Sequence, residues 1–371
     1  MKRKKFIMFA TALLSAAIVW TCSHDRRGDI LQINPSSMPH EEQTHQKTWI
    51  SFHTNPAILD ASKIAGLKQN IILIATAIAQ YEPVSILVGK AEKNELSTLL
   101  GNVNTHHYPI EIVELEMNDM WLRDTGPTFV FNEEGHKAGI NFNFDSEETE
   151  TVSHSKATDF ISTKADAKII HSNLFLEGGC FELDGLGTAI MTESCMINDD
   201  RNPYWDKLQI ETELKELLGL KKIIWLKGIE DEDVTQAYTD FYARFVREGV
   251  VLVHRNNDTA SYEYELTREN IKILQEATDA QNNKLEVVII DAPKHINEAS
   301  DLHHFSRGYL GYYLYNRAVI MQAFGDDEAD YNAKKILQLA FPERTIEQIQ
   351  IDAISSIGGY IHRVTQQDPE N

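Results

Sequence analysis

The stretch Ile357-Gly-Gly-Tyr-Ile-His-Arg-Val-Thr-Gln-Gln-Asp-Pro369 lies at the end of a 371-residue chain and reads as a turn feeding a short strand. Two glycines permit a tight reversal, and the apolar, β-branched residues behind them favour extended backbone. The polar Thr-Gln-Gln that follows is where such a strand is expected to fray. Alone, the stretch decides little. Its weight comes from three segments that precede it in order: Met120-Trp-Leu-Arg-Asp-Thr-Gly-Pro127, Leu176-Glu-Gly-Gly179 and Tyr238-Thr-Asp-Phe-Tyr-Ala-Arg-Phe245.

Outward from these motifs, the bulk numbers set bounds. The chain is long enough for one large domain or two ordinary ones and can bury a substantial core. Its apolar content of 42% and charged content of 25% are those of a globular protein. A formal charge of −21 argues against nucleic acid or anionic membrane surfaces as main partners. It suits cationic ligands, although a solvated acidic surface gives the same number.

At the N-terminus, Lys2-Arg3-Lys4-Lys5 precedes an apolar run from Phe6 to Trp20. A basic segment before a run this short reads as an export signal rather than a spanning helix. Cys22 is a candidate lipid-attachment site. Trp20 and Thr21 fit poorly before a cleavage point, so plain secretion and an uncleaved anchor stay open. The expected location is periplasmic, lipid-anchored or secreted, with the membrane touched only through the leader or its lipid. Residues 23–44 are polar and irregular and read as a tether, which leaves residues 45–371 as a single domain. Cys180 and Cys195 flank Gly185-Leu186-Gly187; a hairpin centred there sets Cys180 opposite Thr192. The three-residue offset, roughly 10 Å, is too long for a disulfide, so two free thiols are expected.

Periodicity alternates short strands with single helices about five times. Apolar residues recur at helical spacing from Asp60 to Gln80, at Ile210 to Leu218, Thr267 to Thr278 and Asp330 to Ala340. Strand composition marks Val84–Val88, Lys222–Leu226, Val250–Val253 and the run Leu310 to Met321. No Gly-rich phosphate loop interrupts them. The pattern supports an α/β domain and stops there.

In order and separation, the four motifs resemble the agmatine deiminase and bacterial peptidylarginine deiminase family, over about Pro39 to Pro369. The resemblance implies the pentein fold, a five-module pseudo-symmetric α/β propeller whose functional groups converge on a central axis. Hydrolysing a guanidinium calls for carboxylates to hold the cation, a soft nucleophile and an acid–base group, without metal or cofactor. By resemblance, Asp124 and Asp240 match the two gripping carboxylates, and Trp121 and Glu177 match positions near the substrate. Asp124, Asp240 and Glu177 also have plain structural readings: a turn aspartate, a strand-end charge and a glutamate ordering its own glycine turn. Arg123 and Arg244 read as ion-pair partners.

This sequence departs from the family at the catalytic positions. Where the family carries its cysteine nucleophile stands Arg363, a permanent cation. Where it carries histidine stands Tyr238, with Ala237 in place of a glycine; a phenol titrating near pH 10 is a poor base at neutrality. Glu182 replaces a histidine found in many relatives. Alternation along a strand would turn His362 to the opposite face from Arg363.

Arg363 then has two possible arrangements. It can enter the site as a built-in guanidinium pairing with Asp124 and Asp240, with Tyr238 filling the histidine's space, or it can point to solvent and leave the pocket open. The first reading of function is an exported, disarmed family member that keeps a guanidinium-binding acidic site for a small ligand or an arginine-bearing peptide. An active guanidine hydrolase of non-standard mechanism and a surface interaction protein are the alternatives. Relatives imply a homodimer by analogy.

Overall fold

The computed structural model describes residues 36–54, 61–103, 107–117, 119–144, 155–229, 235–296 and 306–371. Its strands form five small sheets on one repeated plan: an antiparallel pair followed by a parallel strand, with a helix in the crossover. In one module Ala243–Arg247 runs antiparallel to Val250–Arg255, and the helix Glu263–Glu276 leads to the parallel strand Glu286–Asp291. In the next, Tyr313–Tyr315, Ala318–Ala323 and Thr345–Gln350 repeat the order around the helix Asp327–Ala340. The ring is closed by the chain's two ends, because Thr365–Pro369 pairs antiparallel with His45–Ser51. This is the pentein propeller, and the α/β reading holds.

Local sequence accounts for the elements. The helix Lys207–Leu218 starts on a reciprocal capping box between Asp206 and Gln209 and stops at Gly219, whose φ is 70°. Its buried Ile210, Leu214, Leu217 and Leu218 form the stripe that packs on the sheet. Each buried leucine contributes about 1.5–3 kcal/mol.

Four expectations are corrected. The run Leu310 to Met321 is a hairpin rather than one strand, broken at Asn316-Arg317, with Arg317 at a φ of 64°. At the C-terminus the roles of the two halves are exchanged. Ile361–Val364 is a single helical turn, and the polar Thr365–Pro369 is the strand. That strand is fully buried because its polar groups find partners: Gln366 donates to the Pro127 carbonyl, and Asp368 pairs with Lys137 at 2.7 Å.

The polar segment read as a tether to residue 44 is folded from Ser36 onward; residues 1–35, including the leader, lie outside the described residues. Cys180 and Cys195 form a disulfide, with Cα atoms 5.9 Å apart. The hairpin register is the expected one, Phe181 facing Met191. The chain does not continue as strand past Thr192, however; the helical turn Glu193–Met196 folds Cys195 back over Cys180. Among the described residues no helix is long and apolar enough to cross a membrane.

Candidate functional site

Short helical turns from different modules carry the candidate side chains: Leu122–Thr125, Gly178–Cys180, Thr239–Tyr242 and Ile361–Val364. A single turn presents consecutive side chains around a tight arc, so neighbours such as His362 and Arg363 can both face inward. Alternation, which would have separated them, does not apply. Close approach demands glycine at several of these positions. A Cβ on Gly359 would lie 2.5 Å from the Trp121 ring, and one on Gly179 would lie 2.5 Å from the Tyr238 ring.

Arg363 points inward. Its Nε donates to Asp124 Oδ2 at 3.0 Å and its Nη1 to the Gly358 carbonyl at 3.3 Å. The guanidinium carbon sits 4.3 Å from the Trp121 ring centre and 5.1 Å from that of Tyr238, so two aromatic faces enclose it. Only 7% of Arg363 is exposed. Of the two arrangements the sequence left open, the occupied one is observed, with one difference: the guanidinium meets Asp124 and not Asp240.

Asp240 is held by its neighbours in the same C-terminal segment. The Tyr360 hydroxyl donates to Oδ1, and His362 Nδ1 lies against Oδ2, each at 2.6 Å. The other imidazole nitrogen of His362 lies 3.1 Å from Glu41 Oε1. Glu41 also takes Arg123 Nη2 at 3.1 Å and pairs with Arg244 Nη2. Arg244 in turn donates from Nε to Glu182 at 2.8 Å. Glu177 is gripped through both its oxygens by Arg201, at 2.8–3.0 Å. Arg123 and Arg244 are thus the ion-pair partners the sequence pointed to, whereas Glu41, Arg201 and Tyr360 went unassigned.

Five carboxylates (Glu41, Asp124, Glu177, Glu182 and Asp240) therefore face four guanidiniums (Arg123, Arg201, Arg244 and Arg363) and one imidazole. The cations that face these acids are supplied by the chain itself. Burial raises the Asp124 carboxyl to about 7, against the pull of Arg363 and with help from Glu177 and Asp240. Burial also favours neutral Glu41, but His362, Arg244 and Arg123 outweigh it and hold the group well below the usual carboxylate range. Burial and the charges of Asp124 and Glu177 push the Tyr238 phenol well above 10, so it stays a neutral donor.

The remaining Asp124 oxygen, Oδ1, has no hydrogen-bond partner among the described residues. Asp124 lines a cavity of about 10 Å³ with Thr128, Asn141 and Thr158, room for one water. Glu177, Cys180 and Cys195 are the only described trio close enough to share a metal ion. The sulfurs are bonded to each other and Glu177 is held by Arg201, so the trio offers no free ligand set.

The fold and its acid-lined centre define the class: this is a pentein. Residues 37–369 match the family model of the Porphyromonas-type peptidyl-arginine deiminases, and the chain belongs to that family. A Streptomyces avermitilis relative is 34% identical over 345 residues, covering 90% of this chain and 97% of that protein. The agmatine deiminase of Medicago truncatula is 30% identical over 371 residues, covering 90% and 96%. Among solved structures, the agmatine deiminase of Enterococcus faecalis superposes with a TM-score of 0.82 at 25% identity, covering 93% of this chain and 97% of that one.

Proposed function

We propose that this protein is an exported deiminase-family member that does not turn over guanidines, its guanidinium position being filled by its own Arg363. The contact between Arg363 Nε and Asp124 Oδ2 carries the reading. The residue at the nucleophile's position is a permanent cation, and it lies on the carboxylate a substrate guanidinium would use. The lost histidine is not replaced in kind, since Tyr238 is a neutral phenol in the working pH range. Among the described residues the two cysteines, Cys180 and Cys195, are joined and offer no nucleophilic thiol. The role that remains is binding, at the cell exterior, of a guanidinium-bearing ligand that displaces Arg363 or of a protein partner.

The test is a product assay on the purified protein with agmatine, free arginine and arginine peptides, following ammonia, carbamoylputrescine and citrulline. No product above the protein-free control is expected. Steady ammonia release would make the protein an active guanidine hydrolase and refute the reading.

A further inference from the structure

Loss of the nucleophile is one change at this site; the geometry around Asp240 points to a second. We propose that Tyr360 is a second internal occupant, its hydroxyl taking the place on Asp240 that a ligand guanidinium would need. The proposal rests on the reading that Arg363 fills the guanidinium position, and it deepens it: the site is closed by two residues, one for each carboxylate.

The hydroxyl lies 2.6 Å from Asp240 Oδ1, and His362 Nδ1 holds the other oxygen at the same distance. Each oxygen of Asp240 thus already takes a short bond from this chain. Tyr360 is 2% exposed, and its ring lies 5.8 Å from that of Phe241. Its far side rests on Gly311, where a Cβ would come within 2.5 Å of Tyr360 Cβ. The side chain is therefore wedged in place rather than free to swing aside. A guanidinium held by both carboxylates must displace the hydroxyl from Asp240 as well as Arg363 from Asp124. Removing Arg363 alone opens a place for a small cation on Asp124. Restoring cysteine and histidine alone would likewise leave Asp240 capped.

Calorimetric titration of agmatine and methylguanidine into Arg363→Ala, Arg363→Ala/Tyr360→Phe and Arg363→Ala/Tyr360→Ala proteins tests this. Agmatine affinity is expected to rise in that order, at least tenfold from first to last, with methylguanidine changing less. The phenylalanine variant keeps the ring packing and frees only the oxygen, so the ranking can be read even where the alanine variant fails to fold. Equal agmatine affinity in all folded variants overturns the assignment of Tyr360, as does binding of methylguanidine by all of them and agmatine by none. If no variant binds methylguanidine, the guanidinium reading of Arg363 fails and this proposal falls with it.

Discussion

Replacing Arg363 by alanine leaves Asp124 buried, at 4% exposure, without its cation. Breaking a buried pair by removing one partner costs about 3–5 kcal/mol, and the lost stacking on Trp121 and Tyr238 adds to it. With an unfolding entropy near 2.1 cal/mol/K per residue over roughly 335 residues, that loss lowers the melting temperature by about 4–7 °C. The penalty depends on pH in a definite direction. Asp124 titrates at about 7 with Arg363 beside it, and removing the one neighbour that favours its charge moves it higher still. A raised carboxyl keeps its stability below the unfolded value and loses it as pH climbs to the folded one. The wild type therefore stops losing stability near pH 7, while the variant goes on losing up to about 1.4 kcal/mol per pH unit above it. The gap between them should widen from pH 6 to pH 9. Methylguanidine at a hundred times its dissociation constant should restore about 2.7 kcal/mol, and adding Asp124→Asn to the variant should narrow the gap and flatten its pH dependence. Scanning calorimetry across that pH range reads all of this. A variant that melts within 1 °C of the wild type at pH 9 and ignores methylguanidine would refute the pairing.

The wild type should itself lose stability relative to Asp124→Asn between about pH 4 and pH 7, by up to about 4 kcal/mol; urea midpoints at each pH measure the difference. Glu41→Gln deprives Arg123, Arg244 and His362 of their shared anion and should cost about 3–5 kcal/mol, read as a lower urea midpoint at unchanged slope. The Glu41 contribution has the opposite pH sense: its carboxyl is depressed, so its stability is present above the ordinary carboxylate range and lost in acid. Cys180→Ser with Cys195→Ser opens a loop spanning 15 positions and should cost about 3 kcal/mol. Alkylation of both cysteines in the denatured, unreduced protein would show that no bridge exists.

Most modules were legible because their strands and crossover helices carry their own periodicity, and the resemblance of the motifs to a known family supplied how they assemble. What escaped was local geometry set by tertiary contact. Ile361 to Val364 has strand composition, yet forms a helical turn because its side chains must converge with those of Leu122–Thr125 and Thr239–Tyr242. Thr365 to Asp368 looks like a fraying end, yet is a buried strand because Lys137, Arg123 and the Pro127 carbonyl wait for its polar groups. Glu41 sits in a segment without periodicity, and nothing in its neighbours along the chain announces that two arginines and a histidine will meet it. Such residues are visible only once the propeller has closed.

The same closure explains why residue 363 matters to the fold. A centre built to hold a guanidinium carries an excess of buried carboxylate, which a bound substrate neutralises for as long as it stays. Without a ligand, the charges of Glu177 and Asp240 add to burial in raising the proton affinity of Asp124, which burdens the fold. Glu177 is balanced by Arg201, and Asp240 by His362 and the Tyr360 hydroxyl, which leaves Asp124. A serine or alanine at residue 363 would leave that carboxylate without a cation. Arginine at residue 363 supplies that charge, its guanidinium enclosed between Trp121 and Tyr238. The guanidinium that Asp124 holds belongs to the chain itself, and the contact is therefore part of the structure.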